Sequence, residues 1–316
     1  MRKPFRAGGV AVGALAAALT AGAFAFAPAS AAVTTATTVT SSKVPASIQP
    51  GTPLRAVGGV PNAATTSSAI AAITNLRALN WAGYAVSRGT TTFRFISAQF
   101  TVPTVDCTGV TAASGAWSGH WIGLDGFRPS SGTVEQVGVI AGCADATTPV
   151  YQAFWEMFPN QANSPTSIHI QPGDAVSLSV FYNRSTRQFT LTFSDTSTGQ
   201  SFTRTRACPA HATCLRNSAE AISEAPSDGS TGDILPLANF NIAHYASVSI
   251  TNTAGTHRGG LVSSFWNTSK FTQVAGNGTN FTTAGNPIAV NTRLDIPTSL
   301  TNKRTFNAQW QPANNG

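Results

Sequence analysis

The sequence predicts an all-β fold, an antiparallel β-sandwich of two packed, curved sheets. Three observations predict it. Apolar and polar residues alternate over short runs, β-branched residues and Phe dominate those runs, and no long stretch carries a helical period. Many short strands between regular turn signals are the pattern of a sandwich.

The first 31 residues stand apart from that pattern. Arg2, Lys3 and Arg6 precede an uncharged apolar run from Gly8 to Ala27, and Ala29-Ser30-Ala31 supplies small residues for cleavage. Residues 1–31 therefore read as a secretory signal peptide. No second apolar run of ~20 residues suggests a membrane anchor. Residues 32–75 are rich in Ala, Thr, Ser, Val and Pro and contain no aromatic residue. They hold too few large apolar side chains to offset the entropy of ordering, so they read as a disordered linker or pro-segment. Aromatics then run from Trp81 to Trp310, which makes 76–316 one β-sandwich domain.

Within that domain, "TTFRFISAQFTVP" (91–103) alternates, with Phe93, Phe95, Ser97 and Gln99 opposing Arg94, Ile96 and Ala98. Segments 174–183 and 188–205 read as successive strands, the second a hairpin turned around "STG". Segments 246–252 and 261–266 continue the series. In "TVEQVGV" (133–139) a strand puts Gln136 on the face of Val134 and Gly138, and Glu135 on the opposite one as a solvated surface charge. In "AEAISEAP" (219–226) both a strand and a helix would bring Glu220 and Glu224 to one face, so spacing leaves the element open until Pro226 ends it.

Export makes the four cysteines legible. An even number in an exported chain favours disulfides. Cys208 and Cys214 close the short loop "CPAHATC", which pairs Cys107 with Cys143, one of three possible connectivities. His211 inside that loop lacks any CxxC companion, so no metal site is expected. The net charge of +7 is concentrated at one end. Residues 1–75 carry five basic and no acidic groups, whereas 76–316 carry 14 basic and 12 acidic. That balance does not suit nucleic acid.

The common hydrolytic machineries are absent as motifs. There is no Gly-x-Ser-x-Gly and no His-Glu-x-x-His. The five histidines sit in unrelated contexts: His169 reads as part of a half-exposed strand, and His120 stands beside Trp121. Carboxylates are few, and Glu156 lies among Tyr151, Phe154, Trp155 and Phe158. A charge in such company belongs at the rim of a cleft or paired in the core.

"NWAGYAV" (80–86), "HWIGLDG" (120–126), "TVEQVGV" (133–139), "YQAFWEMFP" (151–159), "AEAISEAP" (219–226) and "LPLANF" (235–240) follow one another in an order that resembles the glutamic peptidases, or eqolisins. The resemblance is strong over about 79–241 and looser beyond. It implies a β-sandwich whose catalytic pair is Gln136, from the Gln-x-Gly pattern with Gly138, and Glu224, four residues after the Glu of Ala-Glu. It further implies support from Trp81, Trp121, Asp125 and Glu156, and a secreted, extracellular, monomeric endopeptidase acting on polypeptides. No cofactor is implied, and after signal removal no membrane.

The chemistry is intelligible without the family. A carboxylate can take a proton from water and return it to the leaving amine. A side-chain amide can donate to the oxyanion while its own oxygen orients the water. Gly138 would leave room for a substrate chain. Acid-favoured activity follows from a carboxylate base. The chain departs from fungal members in being nearly charge-balanced and in having Gln152 and Ile140 where acidic residues are typical, which argues against a very acidic optimum. Two rival readings are a carbohydrate-binding sandwich, suggested by the Asn- and Thr-rich 266–286 and by sequons at Asn183, Asn267, Asn277 and Asn280, and a catalytically inactive relative.

Overall fold

Period-two alternation resolves into 17 strands and, among the described residues, no helix. The computed structural model describes residues 45, 47–51 and 73–312. The signal-peptide region and most of 32–75 lie outside the described residues. In chain order the strands are β1 (Ile48–Gln49), β2 (Ile73–Ala78), β3 (Trp81–Ser87), β4 (Phe93–Thr101), β5 (Ala116–Leu124) and β6 (Val134–Cys143). Next come β7 (Pro149–Phe158), β8 (Ala175–Asn183), β9 (Gln188–Asp195), β10 (Ser201–Ala207), β11 (Ser218–Glu224) and β12 (Ser227–Asp228). The last are β13 (Ile242–Asn252), β14 (Arg258–Gly259), β15 (Asn267–Val274), β16 (Arg293–Pro297) and β17 (Phe306–Trp310).

Hydrogen bonding runs in the order β10-β9-β8-β4-β13-β17-β16-β15-β3-β11-β5-β6-β7, with β14 beside β13 and β2 beside β15. The β2–β15 pair is parallel and the path itself antiparallel. This continuous sheet doubles over, so that β4, β8 and β9 pack against β5 and β6. Ile96, Phe100, Leu178, Val180, Ile122, Val137 and Val139 fill the space between the layers. The expected sandwich is the observed architecture. Cys107 pairs with Cys143 and Cys208 with Cys214, as expected.

A second apolar cluster covers the other face of the β3-β11-β5-β6 layer. It contains Trp81, Trp117, Trp121, Ile140, Phe154 and Ile222, and it includes Ile48 from β1. The layer is thus buried on both faces, and this corrects one expectation. Glu135 does oppose Gln136, but it lies between the layers with no exposure and is not a solvated surface charge.

Other departures have local causes. A register shift between β13 and β4 sets Thr251 opposite Phe95 and Asn252 opposite Phe93, so Phe93 changes face and is buried while Phe95 is not. Segment 261–266 is a turn closed by a Ser263–Trp266 bridge, and the strand begins only at Asn267. His169 is exposed in a connection before β8, not on a strand. Segment 219–226 resolves as strand β11. Strand β2 begins at Ile73, and Ile48–Gln49, within the segment expected to be a linker, pairs with β12. Asn280 is buried, its side chain bonded to the Leu79 carbonyl and the Gly276 amide, and so is closed to glycosylation.

Candidate active site

Register alone assembles the site. Residues directly opposite in antiparallel strands share a face. Trp81 pairs with Glu224, Glu224 with Gly119, and Gly119 with Ile140. Four residues along, Glu220 pairs with Gly123, Gly123 with Gln136, and Gln136 with Glu156. Trp121 lies on β5 between the two glycines of these rows. The structure therefore gathers Trp81, Trp121, Gln136, Glu156 and Glu224 on one face, together with Glu220.

The indole of Trp121 lies between the two glycines, in ordinary contact with Gly119 and tight against Gly123. A Cβ on Gly119 would lie 3.7 Å from its Cδ1, and one on Gly123 would lie 3.2 Å from its Cζ3. A Cβ on Gly138 would come within 2.1 Å of the His120 carbonyl and 2.6 Å of the Trp121 Cβ. Gly138 thus accommodates the tryptophan of the neighbouring strand rather than a substrate chain. Trp121 in turn meets Trp81 edge-on at 5.1 Å.

Glu224 is completely buried and receives three hydrogen bonds. The Trp121 indole Nε1 donates to Oε2 at 2.8 Å. The Asn80 amide and the backbone N–H of Gly51 both donate to Oε1 at 3.0 Å. Burial pushes the Glu224 carboxyl up to about 8, against those hydrogen bonds, which favour the charged form. Gln136 donates from Nε2 to Glu156 Oε2 at 2.8 Å, and its Oε1 is buried with no partner. The other Glu156 oxygen accepts from Gln49 Nε2 at 3.2 Å. Burial, and next the Gln49 bond in the opposite sense and the nearby Glu224 charge, set Glu156 well above the usual carboxylate range.

Asp125 stands apart from this group. It lies just past β5 with φ of 69°, and its carboxylate accepts the backbone N–H groups of Arg216 (2.6 Å) and Asn217 (2.8 Å). Its service is to tie the entry of β11 to the end of β5. His120 points into the sandwich against Phe100 and Phe240, and burial lowers it to about 3. Ile140 and Gln152 are paired on the site face, in the Glu224 row, and both are uncharged.

Sequence reasoning missed Asn80, Gln49 and Gly51. Asn80 carried a signal, being a polar residue directly before a buried Trp. Gln49 and Gly51 carried none, because their composition is that of a linker.

Residues 79–288 match the family described as the Peptidase A4 family. Aspergillopepsin-2 of Aspergillus niger is 30% identical over 199 residues, which are 58% of this chain and 66% of that protein. The chain thus spans about two thirds of the length of that relative. A crystal structure of scytalido-glutamic peptidase with a transition state analogue inhibitor aligns with a TM-score of 0.56 and 22% identity, covering 73% of this chain and 98% of that one. SCP-B, an eqolisin solved with the tripeptide Ala-Ile-His, aligns at 0.51 and 22%, with the same coverage. At those identities the structural likeness is one of fold. The family match extends over more than half of the sequence, and the chain belongs to the Peptidase A4 family.

Proposed function

We propose that the chain is a secreted, acid-favouring endopeptidase in which Glu224 is general base and then acid, and Gln136 stabilises the oxyanion. One observation carries the reading. The backbone nitrogen of Gly51 lies 3.0 Å from Glu224 Oε1, so the carboxyl addresses a peptide nitrogen at the distance proton return to a leaving amine requires.

Each step can be assigned a group. Ionised Glu224 takes a proton from water as the water attacks the carbonyl carbon. The Gln136 amide has two N–H donors; Glu156 holds one, and the second serves the developing oxyanion. Glu156 also fixes which end of that amide faces the cleft, leaving Oε1 to orient the water. Glu156 is therefore a positioning residue. Glu224 then returns its proton to the nitrogen as the C–N bond breaks.

The covered carboxyl at about 8 is mostly protonated in acid, which suits the acid role but not the base. Substrate and water must replace the covering segment, and rehydration lowers the value toward the ordinary range. A base titrating from there works in mildly acidic solution. The uncharged Ile140 and Gln152 add no carboxylate repulsion. Two disulfides suit the oxidising exterior.

A sugar-binding sandwich stacks its ligand on exposed Trp or Tyr, and none of the six Trp or four Tyr is exposed. The deciding experiment is hydrolysis of a denatured protein from pH 2 to 7 by the wild type, Glu224→Gln and Gln136→Ala, with inhibitors of aspartic, serine and metallo-peptidases present. Acid-favoured cleavage that survives the inhibitors and vanishes in both variants is expected. Equal cleavage by Glu224→Gln would refute the assignment.

A further inference from the structure

Residues 47–51 lie across the site as an extended peptide. Ile48 pairs with Asp228 and Gln49 with Ser227 in antiparallel register, the way an added strand binds a peptide-recognition edge. The Gly229 N–H donates to the Ser47 carbonyl, and the Gly51 carbonyl accepts the Trp81 indole N–H at 3.0 Å. Ile48 is buried in the apolar cluster, and Pro50 lies over Gly119, where a Cβ would meet its Cγ at 3.6 Å. The segment thus presents the Gly51 nitrogen to Glu224 and places Gln49 two residues before it.

The pocket around the Gln49 amide is built of acceptors. Its Nε2 donates to Glu156 Oε1 (3.2 Å), to the Pro159 carbonyl (3.4 Å) and to the Asn160 carbonyl (3.3 Å). On the opposite wall Gly229 makes room, since a Cβ there would fall 2.7 Å from Gln49 Oε1. A leucine in this place would leave Glu156 Oε1 without its donor, and a glutamate would set two carboxyls against each other. Because the second Glu156 oxygen holds Gln136, filling the pocket also fixes the oxyanion donor.

We infer that Glu156 and the carbonyls of Pro159 and Asn160 form a specificity subsite for a hydrogen-bond-donating side chain, glutamine foremost, two residues before the nitrogen addressed by Glu224, and that residues 47–51 occupy the cleft as a tethered competitor of substrate. The inference rests on the peptidase reading for the word substrate, though the binding preference stands without it.

The test uses the full-length chain with Ile48→Asp and Gln49→Leu, which expels the segment from its apolar seat. The probes are heptapeptides of the 45–51 sequence, Pro-Ala-Ser-Ile-Gln-Pro-Gly, and its Leu and Glu counterparts at the glutamine. Calorimetry gives binding, and casein hydrolysis gives activity. The glutamine peptide is expected to bind at least about tenfold tighter than either counterpart, as a buried acceptor left without its hydrogen bond implies. Hydrolysis by the variant should exceed that of the wild type. Equal binding of the three peptides, or no binding, overturns the subsite. Preferential binding without hydrolysis at any pH would uphold the subsite and refute the peptidase reading instead. Gln49→Leu alone replaces the double variant if the latter does not fold.

Discussion

The fold should lose stability as pH rises from 4.5 to 6.5, the reverse of most proteins in this range. Burial raises Glu224 to about 8 and Asp295 to about 7, from ordinary values of 4.5 and 3.8. Across this window the folded chain keeps both protons and the unfolded chain has released them. The folded state therefore binds more protons, and stability falls with rising pH. His120 opposes this: burial lowers it to about 3, so the unfolded chain alone is protonated below 6.5. Two protons against one leave a net of one, or roughly 1.4 kcal/mol per pH unit and about 3 kcal/mol over the window. Glu135, Glu156 and Glu220, each raised well above the ordinary value chiefly by burial, act in the same direction. For a domain of this size about 3 kcal/mol corresponds to roughly 6–12 °C in Tm. Calorimetric melting at intervals across the window checks this, with Glu135→Gln as a variant whose slope should be shallower. A Tm that holds level or climbs between pH 4.5 and 6.5 would show that these carboxyls are solvated in the folded chain, and the interior described above would be wrong.

Trp121→Phe removes the indole donor to Glu224 Oε2, which favours the ionised carboxylate. The acid limb of kcat/KM should move up by about one pH unit, and an unmoved limb would separate Trp121 from the titrating group. Gly138→Ala would drive a methyl against the His120 carbonyl and Trp121, at a cost of about 3 kcal/mol read by denaturant melting. A neutral result would mean that β5 and β6 pair in another register. Replacing Cys107 and Cys143 together by Ala opens a loop of sequence separation 36 and should cost about 4 kcal/mol. Loss of less than 1 kcal/mol would place that loop's restraint elsewhere.

The sandwich was legible because most strands alternate and their turns are marked. What alternation could not reveal was how many faces of a strand are covered. Glu135 reads as a surface charge if one face of its strand meets water, and it is buried because β6 has a layer on one side and the site cluster on the other. Parity also fails wherever register shifts, as Phe93 demonstrates, since a bulge depends on the partner strand and leaves no mark in its own sequence. Segment 261–266 has strand-like composition, but the Leu261 carbonyl and the Ser263–Trp266 bridge hold it as the turn that launches β15.

The candidate site divides along the same line. Gln136, Glu156, Glu224 and the two tryptophans were named from ordered motifs, and strand register brings them to one face without further help. The sequence marks Gly138 as a point of close approach but not its neighbour, because a glycine reports only that something comes close, not what. The segment 47–51 was invisible for a deeper reason. If the segment competes with substrate as inferred above, it enters the cleft as a peptide and must be able to leave it, and such a chain cannot carry the apolar pattern of a permanent strand. It is held by backbone pairing, one buried isoleucine and one amide in an all-acceptor pocket. Such holding power belongs to the cleft rather than to the segment, so its sequence looks like linker while its position exposes what the cleft selects.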